Sequence, residues 1–161
     1  MTVDLGQKLE LSVYAGEQEL EIVVNSLDSV LDLKRVIERK TGIEPSELRL
    51  KFRGKDLKTG ALQEAGVGNG SSIFLDGVID LHLQCTDEKK EKKEQIFYVL
   101  DLWLTSKLYY LVQRKHGINM PYWYFEIGGR RLPVDNKTFK ENGVQSGSIV
   151  LIKDRIFNKS F

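Results

Sequence analysis

Residues 30–57 read VLDLKRVIERKTGIEPSELRLKFRGKDL, and this stretch decides the fold of the chain. Its first part has apolar residues at helical spacing between Ser29, a good helix cap, and Gly42, a natural helix end, so it predicts an amphipathic helix. Pro45 prevents a simple continuation of that helix. Residues 48–52 alternate apolar and polar side chains, which predicts a half-buried strand, and a turn with a glycine follows.

Strands are predicted on both sides of this stretch. Residues 8–14 and 19–24 alternate around a short turn that contains Gly16, which is the pattern of a β-hairpin. Residues 72–75 form a last short strand. The order strand, strand, helix, strand, short strand, strand predicts a small α+β unit.

The second half of the chain repeats this order. The helix positions Leu33 and Ile37 recur as Leu108 and Val112 at an offset of 75 residues. For the last strand we match Ile73 and Leu75 with Ile149 and Leu151, at an offset of 76. Repetition at nearly one offset predicts two copies of one unit, residues 1–77 and 78–161, with almost no linker.

Composition excludes several classes of protein. The chain has 161 residues, 41 % hydrophobic and 29 % charged, which is typical of a globular protein. Its net charge of +1 argues against nucleic acid as a partner. A single cysteine excludes an internal disulfide, and no apolar run approaches the roughly 20 residues of a membrane span. We expect a reduced, intracellular protein, in the cytoplasm or the nucleus, that does not bind membranes.

No catalytic motif is evident in the sequence. His82 and Cys85 are a close pair, but three positions along a predicted strand place them on opposite faces. His116 stands at a helix exit, where a favourable contact with the helix dipole explains it. We therefore predict no enzymatic activity, no cofactor and no metal. Residues 87–94 carry four lysines and four acids and predict a solvated hairpin loop, with a basic finger for RNA or a membrane as the alternative.

The sequence resembles ubiquitin and its tandem ubiquitin-like relatives. The resemblance rests on the first helix, its exit at Gly42-Ile43, Pro45 and the stretch from Arg49 to Leu57. The second copy is a weaker match, but it is nearly gapless over residues 117–132. The resemblance implies an α+β chain of two consecutive β-grasp domains, residues 1–77 and 78–161, each with a mixed sheet wrapped on one helix.

The resemblance also bears on conjugation. Conjugated members of this family end in a flexible tail with two glycines, whereas residues 151–161 read LIKDRIFNKSF. The only adjacent glycines, Gly128 and Gly129, fall in a predicted turn. We therefore expect a non-conjugated, non-catalytic interaction module or adaptor of the ubiquitin pathway. The alternative is a ubiquitin-like modifier or its precursor, conjugated through a C-terminus that this chain does not contain.

Family members bind partners through an exposed apolar patch on the sheet. The matching positions of the first copy are Lys51, Phe74 and Asp76, of which two are charged, so we expect weak binding by ubiquitin-type receptors. In the second copy the matching positions are Glu126, Val150 and Ile152. Alternation from a buried Phe125 adds two outward tyrosines, whose alternative role is packing on the neighbouring copy or on Arg130 and Arg131. The predicted partner-binding residues are Tyr122, Tyr124, Glu126, Val150, Ile152, Lys51 and Phe74.

The kind of partner follows from the same resemblance. We expect a protein partner, whose identity the sequence does not indicate. We also expect a monomer in which the two domains contact each other, because a unit of about 75 residues buries only a modest core by itself.

Overall fold

The computed structural model describes residues 5–86, 92–116 and 123–154, without the side chains of residues 85, 86, 92, 93, 116, 123 and 154. The chain divides into two compact units, Met1–Gly77 and Val78–Phe161. Within these described ranges, each unit has a five-stranded sheet and one α-helix. No helix of the described ranges has the length and apolar character that crossing a membrane requires.

The first unit is a mixed sheet with its two longest strands side by side. The strands lie in the order β2-β1-β5-β3-β4, with β1 and β5 parallel and the other neighbours antiparallel. Helix α1 spans Val30–Thr41, and a 3₁₀ turn spans Pro45–Glu47. The strands are β1 (Lys8–Ala15), β2 (Gln18–Asn25), β3 (Leu50–Phe52), β4 (Lys55–Leu57) and β5 (Ser72–Leu75).

Local signals explain where α1 begins and ends. The Ser29 side chain accepts a hydrogen bond from the Asp32 amide at 3.1 Å, and the Asp32 carboxylate accepts one from the Ser29 amide at 2.9 Å. This reciprocal capping box satisfies two amides that the first helical turn cannot. The Ser29 amide and hydroxyl both donate hydrogen bonds to the Asp32 carboxylate, and these bonds lower the pKa of Asp32. The helix ends at Gly42, whose φ of 77° is left-handed, as its position in the sequence predicts.

The second unit repeats the topology of the first. Its strands lie in the order β7-β6-β10-β8-β9, and the central pair, β6 and β10, is again parallel. Helix α2 spans Ser106–His116. The strands are β6 (Val78–Thr86), β7 (Lys92–Leu100), β8 (Trp123–Ile127), β9 (Arg130–Arg131) and β10 (Ser148–Asp154).

Helix α2 is tied to the sheet through Tyr109. Its hydroxyl donates to the Leu132 carbonyl at 2.9 Å and accepts from the Phe125 amide at 3.3 Å. The rings of Tyr109 and Phe125 also meet, with centroids 4.4 Å apart. A buried tyrosine therefore joins the helix to β8 and to the segment after β9, and it satisfies two backbone groups in the core.

The adjacent glycines lie in a turn, as the sequence predicts. Gly128 and Gly129 join β8 to β9, with φ values of 57° and 77°. Arg53 and Gly54 form the corresponding turn of the first unit, with φ values of 50° and 77°. Two successive positive φ values suit a two-residue hairpin turn, because they match the twist of the paired strands.

Both units bury alternate side chains of the sheet beneath the helix. In the first unit Leu9, Leu11 and Val13 of β1 are buried, and Leu33 and Ile37 of α1 pack into the same core region. The predicted fold class, α+β with two consecutive β-grasp domains, is confirmed by the strand orders and the two helices. The core of the second unit consists of Ile79, Leu81, Leu83, Phe97, Val99, Leu108, Tyr109, Val112, Phe125, Leu132, Phe139, Val144, Val150 and Ile152.

Candidate functional site

The outer face of the first sheet carries one aromatic pair. Phe74 on β5 and Tyr14 on β1 are register partners, and their rings stack with centroids 4.9 Å apart and planes 15° apart. Phe74 is 52 % exposed, and Lys51 on β3 lies opposite it. The exposed apolar surface of this face therefore centres on Phe74.

Charged groups adjoin this aromatic pair. Lys51 Nζ lies 2.6 Å from Asp56 Oδ1, and this hydrogen bond raises the pKa of Lys51 and lowers the pKa of Asp56. Both side chains are well exposed, so the ion pair contributes little to stability. Asp76 is exposed as well. The first unit thus presents an aromatic pair beside charges instead of an extended apolar patch.

In the second unit, the predicted exposure of Val150 and Ile152 is wrong. Their exposed fractions are 0 % and 2 %, and both lie in the core. Ile152 is the register partner of Phe125, which is buried too. The sequence match assigns the core positions of this strand to Ile149 and Leu151, one residue too early. Because side chains alternate along a strand, a shift of one residue exchanges its two faces.

Because Val150 and Ile152 of β10 face the core, the residues that alternate with them lie on the outer face. Ile149 is 51 % exposed, and Ile96 on β7 is 37 % exposed. His82 on β6 lies between them, as the register partner of both. Leu151, two positions after Ile149, lies on the same side and is half-buried. We call Ile96, His82, Ile149 and Leu151 the outer stripe.

Two of the predicted partner-binding residues adjoin the outer stripe. Glu126 on β8 is the register partner of Leu151. Tyr124 is half-buried, and the Arg131 guanidinium carbon lies 5.0 Å from the centre of its ring. Tyr124 therefore packs on an arginine, which is the role that the sequence analysis gave as the alternative to partner binding. Tyr122 lies outside the described residues.

A cluster of titratable groups surrounds His82. Its Nε2 lies 2.8 Å from Asp80 Oδ2, and its Nδ1 makes a hydrogen bond with Glu94 Oε1. Asp80 is fully buried, whereas the His82 side chain is 19 % exposed. The carboxylates of Glu94 and then Asp80 accept hydrogen bonds from the imidazole and raise the pKa of His82 above its ordinary 6.5. Burial and the charge of Asp80 raise the pKa of Tyr98, the register partner of Asp80.

Only part of the cluster of Asp80, His82 and Glu94 could have been predicted from the sequence. Residues two apart on a strand share a face, so Asp80 and His82 could have been placed together. Glu94 could be added only once the register of the hairpin was known, because it is diagonal to His82 across β6 and β7.

Several candidate chemical groups fall outside what the structure describes. Cys85 lies on β6, but its side chain is outside the described residues, as are the His116 side chain and residues 87–91 of the charged hairpin segment. In the described part of the chain, no group of three or more histidine, cysteine or acidic side chains is arranged to hold a metal ion. Both ring nitrogens of His82 already have carboxylate partners, which is a poor arrangement for a general base.

Comparisons with known proteins bear on the family. Residues 9–76 match the model of the ubiquitin family. A comparison with curated proteins found no match.

Similar solved structures include three small proteins. The ubiquitin-like domain of Dsk2 from Plasmodium falciparum is 28 % identical, over 43 % of this chain and 96 % of that chain, with a TM-score of 0.41. A protein from Arabidopsis thaliana is 29 % identical, over 45 % of this chain and 86 % of that chain, with a TM-score of 0.42. The N-terminal ubiquitin-like domain of the 4931431F19Rik protein is 21 % identical, over 47 % of this chain and 79 % of that chain, with a TM-score of 0.42.

The two strand orders are the same, position for position, and each sheet has a parallel central pair and one helix between its second and third strands. The first unit therefore matches the ubiquitin family model and the second unit repeats its strand order, so the architecture is two consecutive ubiquitin-like β-grasp domains.

Proposed function

We propose that this chain is a non-catalytic adaptor of the ubiquitin pathway, a tandem ubiquitin-like module that binds another protein through the outer face of its second unit. The observation that carries the proposal is the outer stripe. Ile96 and Ile149 expose apolar surface on a sheet face, and Leu151 extends it toward β8. An apolar centre with a polar rim is the usual anatomy of a protein-binding surface.

The rim of this surface is charged on the β8 side. Glu126 lies opposite Leu151, and Arg131 is the register partner of Glu126. The isoleucines and Leu151 supply the apolar contacts. Orientation comes from Glu126 and Arg131 at the rim and from the His82–Glu94 pair between the isoleucines. The aromatic pair of the first unit has fewer residues than the outer stripe, so we assign it a secondary role in binding the partner. The net charge of +1 supports a protein as the partner more than a nucleic acid or a membrane, and such a module acts in the cytoplasm or the nucleus.

The proposal is tested by paired variants of the whole chain. Ile149→Glu puts a charge at the centre of the outer stripe without touching the core, because Ile149 is 51 % exposed. Val134→Glu is the matched control, since Val134 is 57 % exposed but lies in the loop after β9. We expect Ile149→Glu to reduce the capture of specific partners from a native extract by about tenfold or more, as at a binding hot spot. Val134→Glu should capture the wild-type amount.

Equal capture by the two variants, measured by quantitative mass spectrometry, contradicts this placement of the binding surface. A change in both variants together with a changed amide spectrum indicates misfolding, so the spectrum is recorded for each variant.

Non-conjugation is a separate part of the proposal. It is supported by the place of Gly128 and Gly129 in a hairpin turn, where they cannot serve as a free tail. An N-terminally tagged chain expressed in its native cells should run as one band on a denaturing gel. A ladder of covalent conjugates, lost when the C-terminus is blocked, supports the modifier or precursor instead.

A further inference from the structure

Two cavities of the first unit meet beside helix α1. The first has a volume of about 400 Å³ and lies between α1, β3 and the end of β4. The second has a volume of about 590 Å³ and lies between α1, the 3₁₀ turn and the segment after β4. Lys34 on α1 and Lys58 after β4 line both cavities, so the two adjoin. We call the first the basic cavity and the second the polar cavity.

The basic cavity is positively charged, because four cations and two carboxylates line it and its net charge is +2. The cations are Lys34, Arg49, Lys51 and Lys58, and the acids are Asp56 and Asp76. Lys51 is paired with Asp56 at 2.6 Å, and this hydrogen bond lowers the pKa of Asp56. The charges of Lys58 and Arg49 lower that pKa further, so both cationic groups lie close to the carboxylate. A ligand with about two negative charges would neutralise this cavity.

Lys34 is the half-buried cation of the basic cavity. Among the residues that the structure describes, its ammonium group has neither an ion pair nor a hydrogen bond. An ammonium that is partly withdrawn from water gains from an anionic acceptor, because charge-assisted hydrogen bonds are the strong ones. Arg49 adds a planar guanidinium, whose paired N–H donors match two oxygens of one phosphate group. These two side chains therefore favour a phosphate group as the anion.

The polar cavity carries groups that bind hydroxyls. Glu38 and Glu44 contribute carboxylates to its lining, and Ser46 and Thr59 contribute hydroxyls. A carboxylate accepts a hydrogen bond from an alcohol, and a serine or threonine hydroxyl both donates and accepts. Leu31, which is 47 % exposed, adds an apolar wall for the C–H groups of a ligand. The volume of about 590 Å³ lies in the range of small-molecule sites, so a ligand of the size of a sugar fits.

We propose that the two cavities together bind a phosphorylated polyol, with its phosphate monoester in the basic cavity and its hydroxyl groups in the polar cavity. A phosphate monoester carries about two negative charges at neutral pH, which matches the charge of the basic cavity. Lys34 and Lys58 lie where the phosphate joins the polyol, because they line both cavities. The same chemistry occurs in free sugar and inositol phosphates and in the headgroups of inositol lipids. The site belongs to the first unit, so it is independent of the outer stripe on the second.

The second unit lacks the cations of this site. Its helix positions match those of the first unit at an offset of 75 residues, which makes Tyr109 the counterpart of Lys34. Tyr109 is buried and its hydroxyl donates to the Leu132 carbonyl, so a neutral side chain takes the place of the half-buried cation. Glu126 is the counterpart of Lys51 at the same offset, so a negative charge replaces a second cation. We therefore expect the ligand to bind the first unit alone.

The test is a titration of the isotope-labelled whole chain with glucose 6-phosphate. We expect saturable amide shifts in α1, β3, β4 and residues 58–60, and none in the second unit. Glucose has no phosphate and should cause no shifts at the same concentration. Inorganic phosphate should bind several-fold more weakly than glucose 6-phosphate, because it leaves the polar cavity empty.

Paired variants locate the site. The double variant Lys34→Gln and Lys58→Gln should bind glucose 6-phosphate about tenfold more weakly or worse, since it removes two charge-assisted hydrogen bonds. Lys58→Gln alone, at an exposed position, should weaken binding several-fold and replaces the double variant if that variant's amide spectrum shows misfolding. Lys55→Gln is the matched control, because it removes the same charge from β4 but lies outside the lining of both cavities. It should bind like the wild type.

Vesicles distinguish the two sources of the ligand. If phosphatidylcholine vesicles that contain phosphatidylinositol 4-phosphate retain the chain, and Lys58→Gln but not Lys55→Gln reduces this retention, the ligand is a lipid headgroup. If glucose 6-phosphate binds and the vesicles do not, the ligand is a free phosphorylated polyol. Both outcomes support the site. The proposal is overturned if neither probe binds, if the shifts map to the second unit, if glucose or inorganic phosphate binds as tightly as glucose 6-phosphate, or if Lys55→Gln weakens binding as much as Lys58→Gln.

Discussion

Replacing Val150 with Asp is expected to unfold the second unit. Val150 is fully buried on the core side of β10. The change removes an apolar side chain worth about 2 kcal/mol and buries a carboxylate with no partner, which costs several kcal/mol more. A small domain has only about 5–15 kcal/mol of stability in total. The dispersed amide signals of residues 78–86, 92–116 and 123–154 should therefore collapse, and the urea unfolding transition of this unit should disappear.

Ile149→Asp is the matched control, one position away on the same strand. Ile149 is 51 % exposed, so its new carboxylate stays in water, and the free energy of unfolding should fall by only about 1 kcal/mol. The two variants have the same chemistry and differ only in the face they occupy. If Ile149→Asp unfolds the unit and Val150→Asp does not, the phase of β10 is the one that the sequence match predicts, and the outer stripe does not exist.

The phase of β10 could not be predicted from its own sequence. Residues 149–152 read IVLI, so either set of alternate positions is apolar enough to form a core face. The partner strand removes the ambiguity, because Phe125 is buried and pairs with Ile152. That pairing depends on the folded sheet and not on the local sequence of β10. The repeat does not reveal it either, because the offset between the two copies differs by one residue from strand to strand.

Local signals were sufficient elsewhere. The cap at Ser29, the stop at Gly42 and the two glycines of the β8–β9 turn depend on backbone requirements within a few residues, and each behaves as predicted. The titratable cluster is the opposite case. His82 has a pair of carboxylate partners only because β6 and β7 set Glu94 diagonal to it, and hairpin register is not a local property.

Replacing His82 with Ala is expected to destabilise the second unit by about 2 kcal/mol at pH 6, because the loss of one charge-assisted hydrogen bond to a buried carboxylate is costly. The group at risk is Asp80, which is fully buried beside the imidazole. Glu94 also loses its imidazole partner, but this loss costs less, because its carboxylate is exposed and water can replace the imidazole there. Urea unfolding, followed by amide signals of β6 and β7, measures the difference.

The stability that His82 contributes should depend on pH, and this dependence tests whether its charge is the cause. The pKa of His82 is raised in the folded protein above its ordinary 6.5, so the folded state holds the proton more tightly than the unfolded chain does. The stabilisation is therefore fully present below pH 6.5 and is lost as the pH rises through the folded pKa. The pKa of Tyr98 is raised above 10, so its titration does not enter this range. Subtracting the His82→Gln profile from the wild-type profile cancels the groups that do not interact with His82, and it keeps the contributions of Asp80 and Glu94, which are hydrogen-bonded to it. The difference should fall as the pH rises above 6.5, and a difference that stays flat with pH would show that His82 acts only as a neutral hydrogen-bonding group.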